Sequence, residues 1–154
     1  MAPILGKHAY DDVDRVALLS SSGGWQSLEP ALVQGGVDVR DVYLLDSHYY
    51  REPVLSHLLA RLDRFDPSHP RPMRVGVIFC LVISGSARIS AELGETLQKR
   101  MAERGQADLV RFRNTLANPT PDELAAPIAV VSTLMDHDEV VRKYLWQVLA
   151  ASGL

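Results

Sequence analysis

A hydroxyl, a carboxylate and an imidazole each follow an apolar run in this chain: Ser22 after "RVALLS", Asp46 at the end of "DVYLLD", and His137 just beyond "IAVVSTLM". Together these groups can carry out acyl transfer. A serine oxygen attacks a carbonyl, an imidazole takes its proton, and a carboxylate holds that imidazole in one tautomer. Ser22 lies in "SSSGG", residues 20 to 24, a stretch small enough for a sharp turn. The same composition is ordinary turn chemistry, and Ser21 is one register away. Asp46 could equally cap the turn that follows it. His137 could be the neighbour of a helix N-cap supplied by Asp136 or Asp138.

Groups so far apart in sequence meet only if the intervening elements bring their loops to one edge. The run at 15 to 20 reads as a strand buried on both faces, and 26 to 34 reads as a helix stopped by Gly35-Gly36. Pro30 lies within that helix, which places its start near Ser27 with Pro30 in the first turn. Ser22 would then lie away from the positive end of the helix. A strand at 41 to 46 follows, then a helical stripe through Leu58, Leu59 and Leu62. "MRVGVIFCLVI", 73 to 83, is the longest apolar strand, and residues 88 to 104 form an amphipathic helix ending at Gly105. Residues 107 to 113 alternate as an edge strand does. After a loop with one helical turn come the strand "IAVVSTLM" and the helix "DEVVRKYLWQVLAAS".

Strands alternating with helices at this spacing predict one α/β domain over residues 1–154, a three-layer αβα sandwich with a mainly parallel sheet. In such sheets ligands bind at the carboxyl ends of the strands. That rule selects the loops "SSSGG", "DSHYY", "SGSAR" and "MDHDE". Trp25, His48, Tyr49 and Tyr50 lie in or beside them and are expected to line a substrate pocket.

The chain order Ser, Asp, His and the strand-to-helix turn Ser20-Ser21-Ser22-Gly23-Gly24 resemble the α/β-hydrolase superfamily and its G-x-S-x-G nucleophile elbow, with Ser20 in place of the first glycine. "GGVDVRDVYLLDSHYY" is similar to the family's strand and acid loop, and "MDHDEVVRKYLWQVL" to its histidine loop and closing helix. The likeness covers most of the chain but only the C-terminal half of a full family fold, so the resemblance implies a reduced α/β-hydrolase-like domain. It implies a serine hydrolase of carboxylesterase type acting on small esters or related activated acyl substrates. Ser22 would be the nucleophile, His137 the base and Asp46 the acid, with the Gly23 backbone N–H donating to the oxyanion. The loop after residues 73 to 83 has no carboxylate, which leaves Asp46 as the well-placed acid.

Totals exclude other classes. A net charge of -3 argues against a nucleic-acid partner, which needs a positive face. The single cysteine, Cys80, rules out an internal disulfide and reads as an inert mid-strand hydrophobe. His8, His48, His57, His69 and His137 show no paired ligand spacing, so neither a metal nor another cofactor is expected. There is no signal-peptide pattern and no apolar stretch of membrane-spanning length, so a cytoplasmic protein without a membrane partner is expected. The first strand, with little chain before it, predicts an exposed apolar edge and hence a homodimer. The competing reading is a non-catalytic α/β module in which "SSSGG" binds a phosphate or other small ligand.

Overall fold

Runs such as "VALLSS" and "RVGVIFC" are apolar at successive positions, so both faces of the strands they form need cover. In the computed structural model, which describes residues 16–34, 39–47, 54–69, 72–81 and 85–152, helices supply that cover on both sides of one sheet. Its strands are β1 (Val16–Ser21), β2 (Val39–Leu45), β3 (Arg74–Cys80), β4 (Val110–Arg113) and β5 (Ile128–Thr133). Their spatial order is β1-β2-β3-β5-β4, and every neighbouring pair is parallel. The helices are α1 (Trp25–Gln34), α2 (Val54–Leu62), α3 (Ser86–Glu103), α4 (Pro121–Ala125) and α5 (His137–Ser152). The predicted α/β three-layer sandwich is the fold observed.

Topology dictates which helix lies on which face. The chain advances across the sheet from β1 through β2 and β3 to β4, and right-handed crossovers put α1, α2 and α3 on one side. It then steps back from β4 to β5, and the same handedness sends α4 to the other side, where α5, which follows the last strand, packs beside it. The core divides accordingly. Leu28, Leu58, Leu62, Leu97 and Met101 pack on Val42, Leu44, Val77 and Phe79, whereas Val140, Tyr144 and Val148 of α5 pack on Tyr43, Leu45 and Ile78. These alternate residues of β2 and β3 show the two-residue period of a strand used on both faces. At Gly94, α3 passes so close to β4 that a Cβ would collide with the Phe112 ring.

Several boundaries differ from expectation. β3 ends at Cys80 rather than running to residue 83, so the cysteine is at the strand's carboxyl end and not in its middle. α3 begins at Ser86, two residues early, and a 3-10 turn at Ala107–Leu109 takes up the first part of the predicted edge strand. α4 is started by a full capping box, Thr120 with Glu123, behind Pro121. Most consequential is α1. It starts at Trp25, preceded by a 3-10 turn over Ser22–Gly24, so Ser22 leads straight into the helix. Pro30 lies inside α1 and not in its first turn. It is tolerated because Pro30 and Gln26, whose carbonyl it leaves without an amide, are both exposed and solvent can bond that carbonyl.

β1 and β4 are the sheet edges among the described residues, and Val16 to Leu19 are half-buried. No helix among the described residues is long and apolar enough to cross a membrane.

Candidate active site

The carboxyl ends of β1 and β2 are adjacent, which brings the Ser22 and Asp46 turns side by side. His137 arrives from the far side of β3. It is the first residue of α5, and α5 packs back across β2 and β3. The approach to this helix is fixed by local bonds: Leu134 N donates to Asn118 Oδ1 and Met135 N to Thr133 Oγ1, each at 3.1 Å. Asp136 then caps the helix, its Oδ1 accepting from Glu139 N at 2.9 Å. Capping and presentation of the imidazole are therefore divided between neighbouring residues.

The imidazole meets Asp46. His137 Nδ1 is 2.6 Å from Asp46 Oδ2, with the carboxylate fully buried and the ring about one-third exposed. The other carboxylate oxygen accepts from the Cys80 backbone N–H at 3.1 Å and from the Ser86 hydroxyl. Ser86, itself fully buried, opens α3, so the acid also faces the positive end of that helix. Burial by itself raises the Asp46 carboxyl; the hydrogen bonds from Ser86, His137 and Cys80 outweigh it and hold the group below the ordinary aspartate range. An ionised carboxylate only accepts, so Nδ1 is the donor and the neutral ring keeps its lone pair on Nε2. This is the tautomer a general base requires.

Ser22 has φ of 51°, in the left-handed region that L residues avoid, and Asp46 has φ of 44°. Ser21 is extended, at φ of -132°, and ends the strand. The alternative register is thus a strand residue, and Ser22 is the turn residue with an exposed side chain. Gly23 follows it in the first turn of helical backbone, where N–H groups have no acceptor within the helix. A Cβ built on Gly23 meets nothing within 4 Å, so the space above this turn is open. Among the described residues the Ser22 hydroxyl forms no hydrogen bond to His137; such contacts are often long before substrate binds.

A pair of buried hydroxyls fixes the turn. Ser47 Oγ lies 2.9 Å from the Ser22 carbonyl, to which it donates, and 2.7 Å from Ser20 Oγ. Ser47 has one proton, so Ser20 is the donor of the second bond. Ser20 therefore has a partner of its own. Through Ser47, the residue after Asp46, the Ser22 turn and the Asp46 turn are held as one unit.

Other candidates fare differently. Trp25 opens α1 and is half-buried beside the turn. His48, Tyr49 and Tyr50 lie outside the described residues. Leu134, which was not foreseen, is 49% exposed on the loop leading to His137 and offers apolar surface at the same end of the sheet. The Cys80 thiol is pushed up to about 12, by burial and then by the neighbouring Asp46 carboxylate, so it stays protonated and is no competing nucleophile. Asp136 and Asp138 make no bond to the His137 ring among the described residues. No group of three or more His, Cys, Asp or Glu side chains among those residues could hold a metal ion. Ser86 and Ser47 escaped the sequence reading, because a serine in a loop has no local signature and their partners are 40 and 25 residues away.

Comparison with protein-family models, with characterised proteins and with solved structures gives no match, so the resemblance to α/β-hydrolases rests on motif and chain order alone.

Proposed function

We propose that the protein is a serine hydrolase of small esters or related activated acyl groups, with Ser22 as nucleophile, His137 as base and Asp46 as the acid that orients it. The observation that carries this reading is the 2.6 Å His137–Asp46 bond beside an exposed serine in a left-handed turn. Ser22 Oγ attacks the acyl carbonyl as His137 Nε2 takes its proton. The oxyanion forms near the Gly23 N–H, and one such donor is worth about two to three orders of magnitude in rate. Collapse expels the alkoxide, which receives the proton from His137. Water, deprotonated by the same nitrogen, then attacks the acyl carbonyl; the Ser22–acyl bond breaks, His137 returns the proton to Ser22 Oγ and the acid leaves.

A fluorophosphonate probe tests this directly. An activated serine displaces fluoride and gains a stable phosphonyl group; peptide mapping should locate it on Ser22. Absence of an adduct on folded protein, or an adduct on another serine, would remove the assignment. We also propose that two copies pair through the β1 edge, where Val16 to Leu19 are half-buried. Light scattering checks this: a mass of 17.0 kDa at micromolar concentration contradicts it.

A further inference from the structure

One peptide unit, between Ser22 and Gly23, has a carbonyl bonded to Ser47 and an N–H that the proposed mechanism uses as its oxyanion donor. We propose that the buried Ser20–Ser47 hydroxyl pair is a positioning device for that donor: Ser47 aims the Gly23 N–H, and Ser20 strengthens it. The inference rests on the hydrolase reading and deepens it, because it assigns what orients the group that stabilises the developing charge.

The geometry of the peptide bond supplies the first reason. A bond that does not precede proline is trans and planar, so its C=O and N–H point in opposite directions and whatever fixes one aims the other. Ser47 Oγ donates to the Ser22 carbonyl at 2.9 Å, and Ser47 is 1% exposed. The carbonyl is thus turned toward the interior. The Gly23 N–H is turned the other way, into the open space above the turn, where Gly23 is exposed and a Cβ would meet nothing within 4 Å. Glycine accepts either orientation of this peptide plane, so Gly23 alone does not hold it.

The direction of the hydrogen bonds supplies the second. Ser20, also buried, has its Oγ 2.7 Å from Ser47 Oγ, and Ser47 spends its one proton on the carbonyl, so Ser20 donates to Ser47. The bonds therefore run one way, from the Ser20 hydroxyl through the Ser47 hydroxyl to the Ser22 carbonyl, and end at the Gly23 N–H. Bonds in such a chain polarise one another, and a carbonyl that accepts makes its own amide a better donor. The two hydroxyls have no further side-chain partner among the described residues. Ser47 directly follows Asp46, so the turn that places the acid also carries the group that aims the donor.

The test is turnover of nitrophenyl acetate by the full chain as wild type, Ser47→Ala and Ser20→Ala. Fluorophosphonate labelling, thermal unfolding and the amide nitrogen resonance of Gly23 are recorded on the same preparations. Removing an oxyanion donor costs about two to three orders of magnitude, and a donor that is present but no longer aimed should cost less. In Ser47→Ala, kcat is expected to fall about tenfold to a hundredfold with KM unchanged. The Gly23 nitrogen should move upfield, because its carbonyl has lost the side-chain donor. Ser20→Ala keeps the bond from Ser47 to the carbonyl and should lose a smaller factor, about twofold to fivefold; it carries the prediction if Ser47→Ala does not fold. Unchanged kcat in either folded variant, a loss confined to KM, or a Gly23 resonance that does not move in Ser47→Ala would each overturn the proposal. A wild type that gains no phosphonyl group on Ser22 removes the hydrolase reading and this inference with it. A labelled wild type beside a Ser47→Ala of full kcat removes this inference alone.

Discussion

Ser22→Gly is expected to give a protein that is inactive and slightly more stable than the wild type. Holding an L residue in the left-handed region costs about 1–2 kcal/mol, and glycine is released from that cost. Its freer unfolded chain returns about 0.4–1 kcal/mol, so the net gain lies between about 0 and 1.6 kcal/mol, at about 2–4 °C in Tm per kcal/mol for a chain of this size. Ser22→Ala keeps the Cβ and should stay within about 0.5 kcal/mol of wild type. Both variants lack the hydroxyl, and loss of a triad nucleophile costs on the order of 10⁶-fold in turnover. On the proposed mechanism, the oxygen is the reason for a serine where glycine would be more stable. Thermal unfolding and hydrolysis of an activated ester, measured on the same preparations, separate the two effects. A less stable Ser22→Gly would contradict the strain, and full turnover in either variant would exclude Ser22 as nucleophile.

The parts of this fold that were legible were those written in continuous apolar runs. "VYLL", "VGVIFC" and "IAVVST" are buried along their whole length, so their assignment as internal strands of a parallel sheet needed nothing beyond burial on both faces. Where each strand stops was less visible. The run after Arg74 stays apolar to Ile83, yet the ladder ends at Cys80, because pairing ends where the partner strand ends, at Thr133. The start of α1 was misjudged for a different reason. Proline is costly inside a helix on average, but a carbonyl that faces solvent loses little, and the exposure of Gln26 is a tertiary fact.

Within the site, Asp46 could be picked out as the only carboxylate at a suitable strand end, and His137 by its position before the last helix. Ser86, Ser47 and the Cys80 amide could not be found in this way. Their roles depend on which loops lie side by side. That follows from the strand order β1-β2-β3-β5-β4, in which the fifth strand inserts between the third and the fourth.

Asp46→Asn is expected to lower turnover by about 10⁴-fold while leaving Ser22 and His137 in place. The amide oxygen can still accept from Ser86 and the Cys80 N–H, but its NH₂ group then faces His137 Nδ1. Two donors cannot pair, so the ring moves its proton to Nε2 and the lone pair needed by Ser22 is lost. The same substitution has a signature in stability that turnover alone does not provide. Burial raises the carboxyl, but bonds from Ser86, His137 and Cys80 bring it below 3.8 in the folded state. A carboxyl depressed on folding contributes stability that is fully present above its unfolded value and is lost as pH falls through the folded value. Wild type should therefore exceed Asp46→Asn in stability at neutral pH, since hydrogen bonds to a charged group are worth about 1.5–3 kcal/mol each and weaken when the charge is removed. As pH falls below the unfolded value the gap should narrow, and it should close below the folded one, where the wild-type carboxyl takes up its proton and becomes as neutral as the amide. Urea unfolding of both proteins at neutral pH and near pH 3 reads this directly. A gap that is the same at the two pH values would mean that the buried Asp46 carboxyl is already protonated in the neutral protein, and an uncharged acid could not hold His137 as the base.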